Sequence, residues 1–457
     1  MAKRFSFSWL SCLLALALLT SASASRASAL PTFYWHPLST PADVEALAIN
    51  LAMPSALYAG AFGNGLYRST DNGATWFTAT TGITLPMSVQ NALAVHPLRP
   101  TIVYAGDYYG GGLYRSVDSG ENWSLVLPSA YVRAIAASPT APELVLAGDR
   151  YAGLYRSVDS GETWTPVSAA AGLTNSLTSV ITFAPTTLET AYVGAERFVF
   201  ASGDGGASWG YRGRLPSNVY ALAASPLTPT TLLAGTYSHG VYLSVNEGIT
   251  WTASNAGLPA GTWVTSLAFD PLTPTVAYAG TWDGQVYRSE NSGATWSGLG
   301  YLGYVYALAV HPSAPGVIYA GTSNNGLFRG STLDHITIEP ISTTQYVYRL
   351  FTLTVTARDT LGFPLTGGTQ AQSVRDARLA ATLSAGYNGS AVLVDSAGLI
   401  STTVNLVNGV GIKAITFTQP VSNDIITATL QAEGLQAVSN AFTVDWFARI
   451  YLPLVRK

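Results

Sequence analysis

The sequence predicts an all-β chain: a seven-bladed β-propeller closed by its own N-terminal strand, followed by an immunoglobulin-like β-sandwich. Three observations carry that reading. A unit of 41 to 46 residues returns seven times, each copy holds four short apolar runs parted by Gly, Pro, Asn and Asp, and after residue 332 the period gives way to longer alternating strands. A period of roughly 40 to 50 residues with four strands per unit implies blades packed in a circle, because one such sheet cannot bury its own faces.

Residues 1–29 read as an export signal: Lys3 and Arg4, the apolar run "WLSCLLALALL", then small residues ending "ASA". Cleavage is expected after Ala29, or else after Ala24. Cys12, the only cysteine, lies inside this segment, so no disulfide or thiol chemistry is expected in the mature chain. No later stretch reaches the roughly 20 apolar residues of a membrane span. The mature protein is therefore expected to be secreted or held at the cell surface.

Residues 30–332 hold the repeats. Each opens on a strand such as "VEALAIN" (44), "VRAIAAS" (132) or "VYALAVH" (305), passes a proline-rich turn, and continues through "YAG" or a relative into "GLYRS". Six copies then carry Ser-x-Asp/Asn-x-Gly-x-x-Trp, with Asp71, Asp118, Asp159, Asp204, Asn246 and Asn291 at the acidic position and Trp76, Trp123, Trp164, Trp209, Trp251 and Trp296 at the end. The seventh copy, "GLFRGST" at 326–332, lacks the phrase and a fourth strand. Trp35 stands nine residues before Val44, as Trp296 stands nine before Val305, so residues 31–37 are expected to supply the missing outer strand.

The boxed phrase resembles the BNR or Asp-box repeat of sialidases, sortilin-type receptors, large xyloglucanases and photosystem II assembly factors. Families sharing it differ in function, so the resemblance implies the propeller and leaves the activity open. A carboxylate in a tight turn can accept several backbone N–H bonds, and Asn246 and Asn291 keep the acceptor oxygen without the charge. The position is therefore a hairpin lock, and losing one carboxylate is expected to cost about 1 to 3 kcal/mol. The recurring Arg68, Arg115, Arg156, Arg288 and Arg329 occupy one repeat position, unlike a sialidase arginine triad, and read as stems covering apolar strand surface.

Charged residues make up 10% of the chain, and the net charge is -3. No basic footprint for nucleic acid is present. Five histidines, none at ligand spacing, point to no metal, and no cofactor is expected. Recognition is expected at the loops joining second and third strands and at the blade-to-blade links. These present Phe62, Tyr108, Tyr109, Arg150, Tyr151, Arg197, Tyr237, His239 and Trp282 on the loops, and Tyr131, Trp263, Tyr301 and Tyr304 on the links. An aromatic, weakly charged mouth suits an extracellular glycan or protein, since flat rings give large contact area at small entropic cost.

The expectation is a non-catalytic binding protein. A glycoside hydrolase is the alternative, with Asp107, Asp149, Glu196 and Asp283 as its carboxylates, two of which would have to converge within about 5 to 9.5 Å. Xyloglucanases of the resembling type use a cleft between two propellers, and one is read here. An assembly factor like that of photosystem II is the second alternative. Residues 333–446 alternate as a sandwich would, and "FTLTVTARDTLGFPLTG" resembles the invasin/intimin type of bacterial Ig-like repeat. "NGS" at 388–390 fits a glycosylation acceptor or a turn. The tail 447–457 reads as a sorting segment or a plain terminal strand.

Overall fold

A computed structural model describes residues 32–365, apart from 41–42, 168–170, 174–176, 339, 341–343 and 347–350, and beyond them the strands between 389 and 445. The export signal, its cleavage sites, Cys12, Asn388 and the tail lie outside the described residues. No α-helix occurs among the described residues, and no helix there is long and apolar enough to cross a membrane. Seven four-stranded antiparallel sheets form the propeller. Their inner strands are Val44–Ile49, Leu93–Val95, Val132–Ala137, Thr178–Phe183, Val219–Ala224, Val264–Phe269 and Val305–Val310. Successive inner strands lie side by side, and the last lies beside the first, so the ring is complete.

Six blades are built from consecutive strands, while the seventh takes its outer strand, Phe33–Leu38, from the start of the chain. That strand runs antiparallel to Gly326–Thr332, from Phe33 opposite Thr332 to Leu38 opposite Leu327. Trp35 is 2% exposed, packs with Tyr278, Tyr301 and Phe328, and donates Nε1–H to Leu299 O at 3.1 Å.

The second strands are buried along their whole length because each is covered by both neighbouring blades, which is why they read as unbroken "YAG" runs instead of alternating. Each boxed turn passes through two successive residues of positive φ, and the second is always glycine, with φ of 78° to 90°. A Cβ at Gly161 would lie 2.4 Å from the Tyr104 ring of the preceding blade, so sterics and backbone both demand glycine.

The acidic position works as a two-sided acceptor. Asp118 Oδ1 receives the Glu121 and Asn122 amides at 3.1 and 2.9 Å and the Ser116 hydroxyl at 2.8 Å, while Oδ2 receives Asn122 Nδ2–H at 2.8 Å. Where asparagine replaces it, the outer bond reverses: Asn246 and Asn291 Nδ2–H donate to Thr250 and Thr295 Oγ1, each at 2.9 Å. The backbone bonds survive at 2.9 and 2.8 Å. Partial burial pushes the carboxyls up, but the turn's hydrogen bonds outweigh it and hold Asp118, Asp159 and Asp204 at about 2 and Asp71 below its ordinary value.

The repeated arginines do more than cover strand surface. Arg115 and Arg156 Nε–H each donate across to the next blade, to Ser160 O and Gly205 O at 2.8 Å, and Arg68 reaches Ser119 O at 3.3 Å. Tyr58 and Tyr104 donate to the same carbonyls, at 3.0 and 2.7 Å. The boxed turn of one blade is thus riveted to the preceding blade. Blade six has no following box, and among the described residues the buried Arg288 Nε finds no acceptor.

Arg329, at the same repeat position in blade seven, turns elsewhere. It pairs with Asp359 at 3.4 Å and lies 3.7 Å from the Phe363 ring centroid. Asp359 caps its own turn, its Oδ1 accepting the Leu361 and Phe363 amides at 3.0 and 2.9 Å. Leu361 packs against the cluster of Val44, Leu57, Tyr319 and Leu327, where blades seven and one meet. The chain beyond the propeller therefore inserts the turn 359–363 into this seam.

Further on, His335–Ile338, Phe351–Arg358 and Val410–Ile415 form one sheet, and Ser401–Leu406, Gly389–Asp395, Ile426–Leu430 and Leu435–Val438 another. The two share a core of Ile336, Leu353, Val355, Leu393, Val404, Leu406 and Ile426. Tyr34 of the N-terminal strand joins it.

Candidate ligand-binding mouth

The loops between second and third strands share one face with the blade-to-blade links, and the same bond laces them together in six blades. Phe62, Tyr108, Arg150, Tyr237, Trp282 and Ser323 each donate their backbone N–H to a link carbonyl, those of Asp43, Ser88, Tyr131, Asn218, Trp263 and Tyr304, at 2.9 to 3.1 Å. Variable side chains thus stand on a fixed frame, which is how a scaffold presents function.

The rings fall into two arcs. On blades five to seven, Trp282 is sandwiched between Trp263 and Tyr304, with centroids 4.4 and 5.0 Å apart and planes at 19° and 15°. Tyr237 and Tyr220 close on Trp263 from 4.9 and 5.2 Å. Trp282, expected as an open platform, therefore has both faces covered by neighbouring rings. A pocket of about 320 Å³ opens beside this stack, lined by Tyr237, Ser238, Pro259, Trp263, Trp282 and Asp283.

On blades one to three, Phe62 meets Tyr109 at 6.0 Å, Tyr109 meets Tyr108 at 5.2 Å, and Tyr131 meets Tyr151 at 5.0 Å, all edge to face. Phe62, Tyr109, Tyr131, Tyr151, Tyr237 and Tyr304 are exposed. Tyr301 is not part of the mouth: it ends the outer strand Ser297–Tyr301, buried beside Trp35. His239 is exposed, with Nδ1 3.1 Å from Tyr237 O, and Arg197 is half-buried.

Two of the four candidate carboxylates are engaged by backbone amides. Asp107 accepts the Ser88 and Gly111 amides at 2.9 and 2.7 Å, and Asp149 accepts those of Tyr131, Tyr151 and Ala152, each at 2.7 Å. The equivalent position holds Thr236, Thr281 and Thr322 in later blades, where the hydroxyl donates to a carbonyl four residues on. Asp107 and Asp149 are therefore loop fasteners. Glu196 sits in the left-handed region, with φ of 51°, and Asp283 is exposed at the pocket edge.

One set of mouth residues escaped the sequence reading. In six blades the inner strand pairs with its neighbour through a β-bulge that skips its second residue: Glu45, Arg133, Ser179, Tyr220, Thr265 and Tyr306. A bulge frees a side chain from the pleat and re-aims it. Five of the six, all but Glu45, line a central cavity of about 160 Å³. The signal was present in the sequence, since this second place holds Glu, Arg, Ser, Tyr, Thr and Tyr while the residue before it is Val in five of the six copies.

Glu45 is 5% exposed, and its Oε2 has no hydrogen-bond partner. Burial, then the Asp43 carboxylate, push its carboxyl up to about 7, while a hydrogen bond from Gln90 opposes them. Because the folded pKa exceeds the unfolded one, folding favours the protonated acid, and that stabilisation is lost as pH rises from about 4.5 through about 7. Glu45→Gln is expected to raise the melting temperature at pH 8, gaining about 2 kcal/mol, and to leave it nearly unchanged at pH 4.5. Melting curves of parent and variant across pH 4 to 8 check this, and the difference between them removes the opposing titrations of His96 and His311, whose burial lowers their pKa values.

Among the described residues no cluster of three or more His, Cys, Asp or Glu could hold a metal ion. The ring of seven four-stranded sheets defines a seven-bladed β-propeller. No family model matches the sequence, and no curated protein matches it.

Solved structures do match. YCF48 from Cyanidioschyzon merolae aligns at TM-score 0.51 and 17% identity, over 65% of this chain and 98% of its own. YCF48 bound to a D1 peptide aligns at 0.50 and 14%, over 66% and 99%. The GH74 xyloglucanase from Xanthomonas campestris aligns at 0.55 and 16%, over 90% and 81%. At such identities the likeness shows the fold.

Proposed function

We propose that the chain is an exported, non-catalytic recognition protein whose propeller mouth binds a polysaccharide or protein ligand. One observation carries the reading: six exposed aromatic rings stand on a laced rim while Asp107 and Asp149 are spent on backbone amides. Tyrosine-rich rims bind through rigid amphipathic area at little entropic cost. The similar structures fit both a binding role and a hydrolytic one, since one is YCF48 bound to a D1 peptide and another is a xyloglucanase.

In this reading the boxed phrase is an Asp-box of structural use, the strand Phe33–Leu38 is the clasp of the ring, and the C-terminal sheets are an Ig-like sandwich that carries the propeller at the cell surface. The signal-like residues 1–29 support export.

A glycan array and a reducing-sugar assay on the mature protein test the proposal together. Expected is a retained ligand whose affinity falls about tenfold or more in Tyr109→Ala and Tyr151→Ala, with no new reducing ends. Reducing ends that vanish in Asp283→Asn would overturn it in favour of a hydrolase.

A further inference from the structure

Blade three carries two guanidinium groups on tyrosine faces, neither held in an ion pair among the described residues. Arg150 Cζ lies 4.9 Å from the Tyr108 ring centroid and 5.3 Å from that of Tyr151. Arg133, from the bulge of the same blade, lies 5.0 Å from the Tyr220 ring across the cavity. Both flank the Val132–Asp149 pair of the same blade: Arg133 lies one residue into the inner strand and Arg150 one residue beyond the end of the second strand.

Asp107 and Asp149 form no ion pair with either arginine, and between them their oxygens accept five backbone amides. A guanidinium stacked on aromatic rings keeps its planar edge of N–H donors free, and that edge matches a carboxylate in two parallel bonds.

We infer that blade three holds an anion subsite for a carboxylate-bearing polysaccharide, with Arg150 at its centre and Arg133 deeper in the cavity. The inference rests on the mouth reading above and names its ligand class. A glycan fits this sector better than an extended peptide. A peptide needs free backbone donors and acceptors, whereas the amides of Tyr108, Arg150, Tyr151 and Ala152 are already bonded within the rim. What remains for a ligand is guanidinium edge and the 57% exposed ring of Tyr151.

The test is binding of the mature protein to polygalacturonate, to the same polymer fully methyl-esterified, and to polyglutamate. Expected is retention of the acidic polymer alone, weakening as salt rises, with about a tenfold loss in Arg150→Gln and a smaller one in Arg150→Lys, which keeps the charge but loses the fork. Unchanged melting temperatures establish that the variants are folded. Equal binding of the esterified polymer, or full binding by Arg150→Gln, overturns the anion subsite and leaves the mouth reading standing if Tyr109→Ala still weakens retention. Retention of polyglutamate instead overturns the ligand class. No retention of any polymer here, together with a blank glycan array, removes both.

Discussion

Deleting residues 31–37 is expected to lower the melting temperature by more than any single core substitution and to convert one sharp transition into a broad one. The strand Phe33–Leu38 gives blade seven its outer edge, and its loss exposes the unpaired groups of Gly326–Thr332 along the whole register. It also removes Trp35 from a cluster that includes Tyr278, Tyr301 and Phe328. Burial of one large aromatic is worth about 3 to 5 kcal/mol by truncation, so Trp35→Ala alone should take much of the effect. Calorimetry of parent, deletion and Trp35→Ala proteins checks the order, and a deletion variant as stable as the parent refutes the clasp.

The second large effect is expected at the seam. Arg329→Met should destabilise by about 3 to 5 kcal/mol, because it leaves Asp359 buried and unpaired. Asp359 is 0% exposed and Arg329 is 3% exposed, and both keep their full desolvation cost when the partner is gone. The double variant Arg329→Met with Asp359→Leu should recover most of that loss, since paired apolar groups of similar size often replace a buried ion pair without penalty. Chemical denaturation of the two single variants and the double measures the coupling, and additive losses would sink the account.

Much of the ring was legible in the sequence because its determinants are local and repeated. The positive-φ glycine of each box, the proline-rich turn and the spacing from Trp35 to Val44 announce themselves in one copy and are confirmed in the next. What escaped depends on neighbours that sequence does not place together. Trp282 reads as an open ring on a loop, and only the approach of Trp263 and Tyr304 covers it. Asp107 and Asp149 read as an acid pair until their amides are counted. Arg133 sits in the second place of a strand that alternation alone would treat as ordinary, and the bulge re-aims it. Arg329 looks like its four counterparts, yet its partner lies thirty residues downstream, beyond the last repeat.

Blade seven joins the first strand of the chain to the last repeat and receives the turn 359–363 besides. Were the protein tethered by its carboxyl end, tension would enter the circle at the one place where the chain is not continuous. A pull there loads the fastening itself, so the molecule would yield by springing open within blade seven before any of the other six sheets unravels.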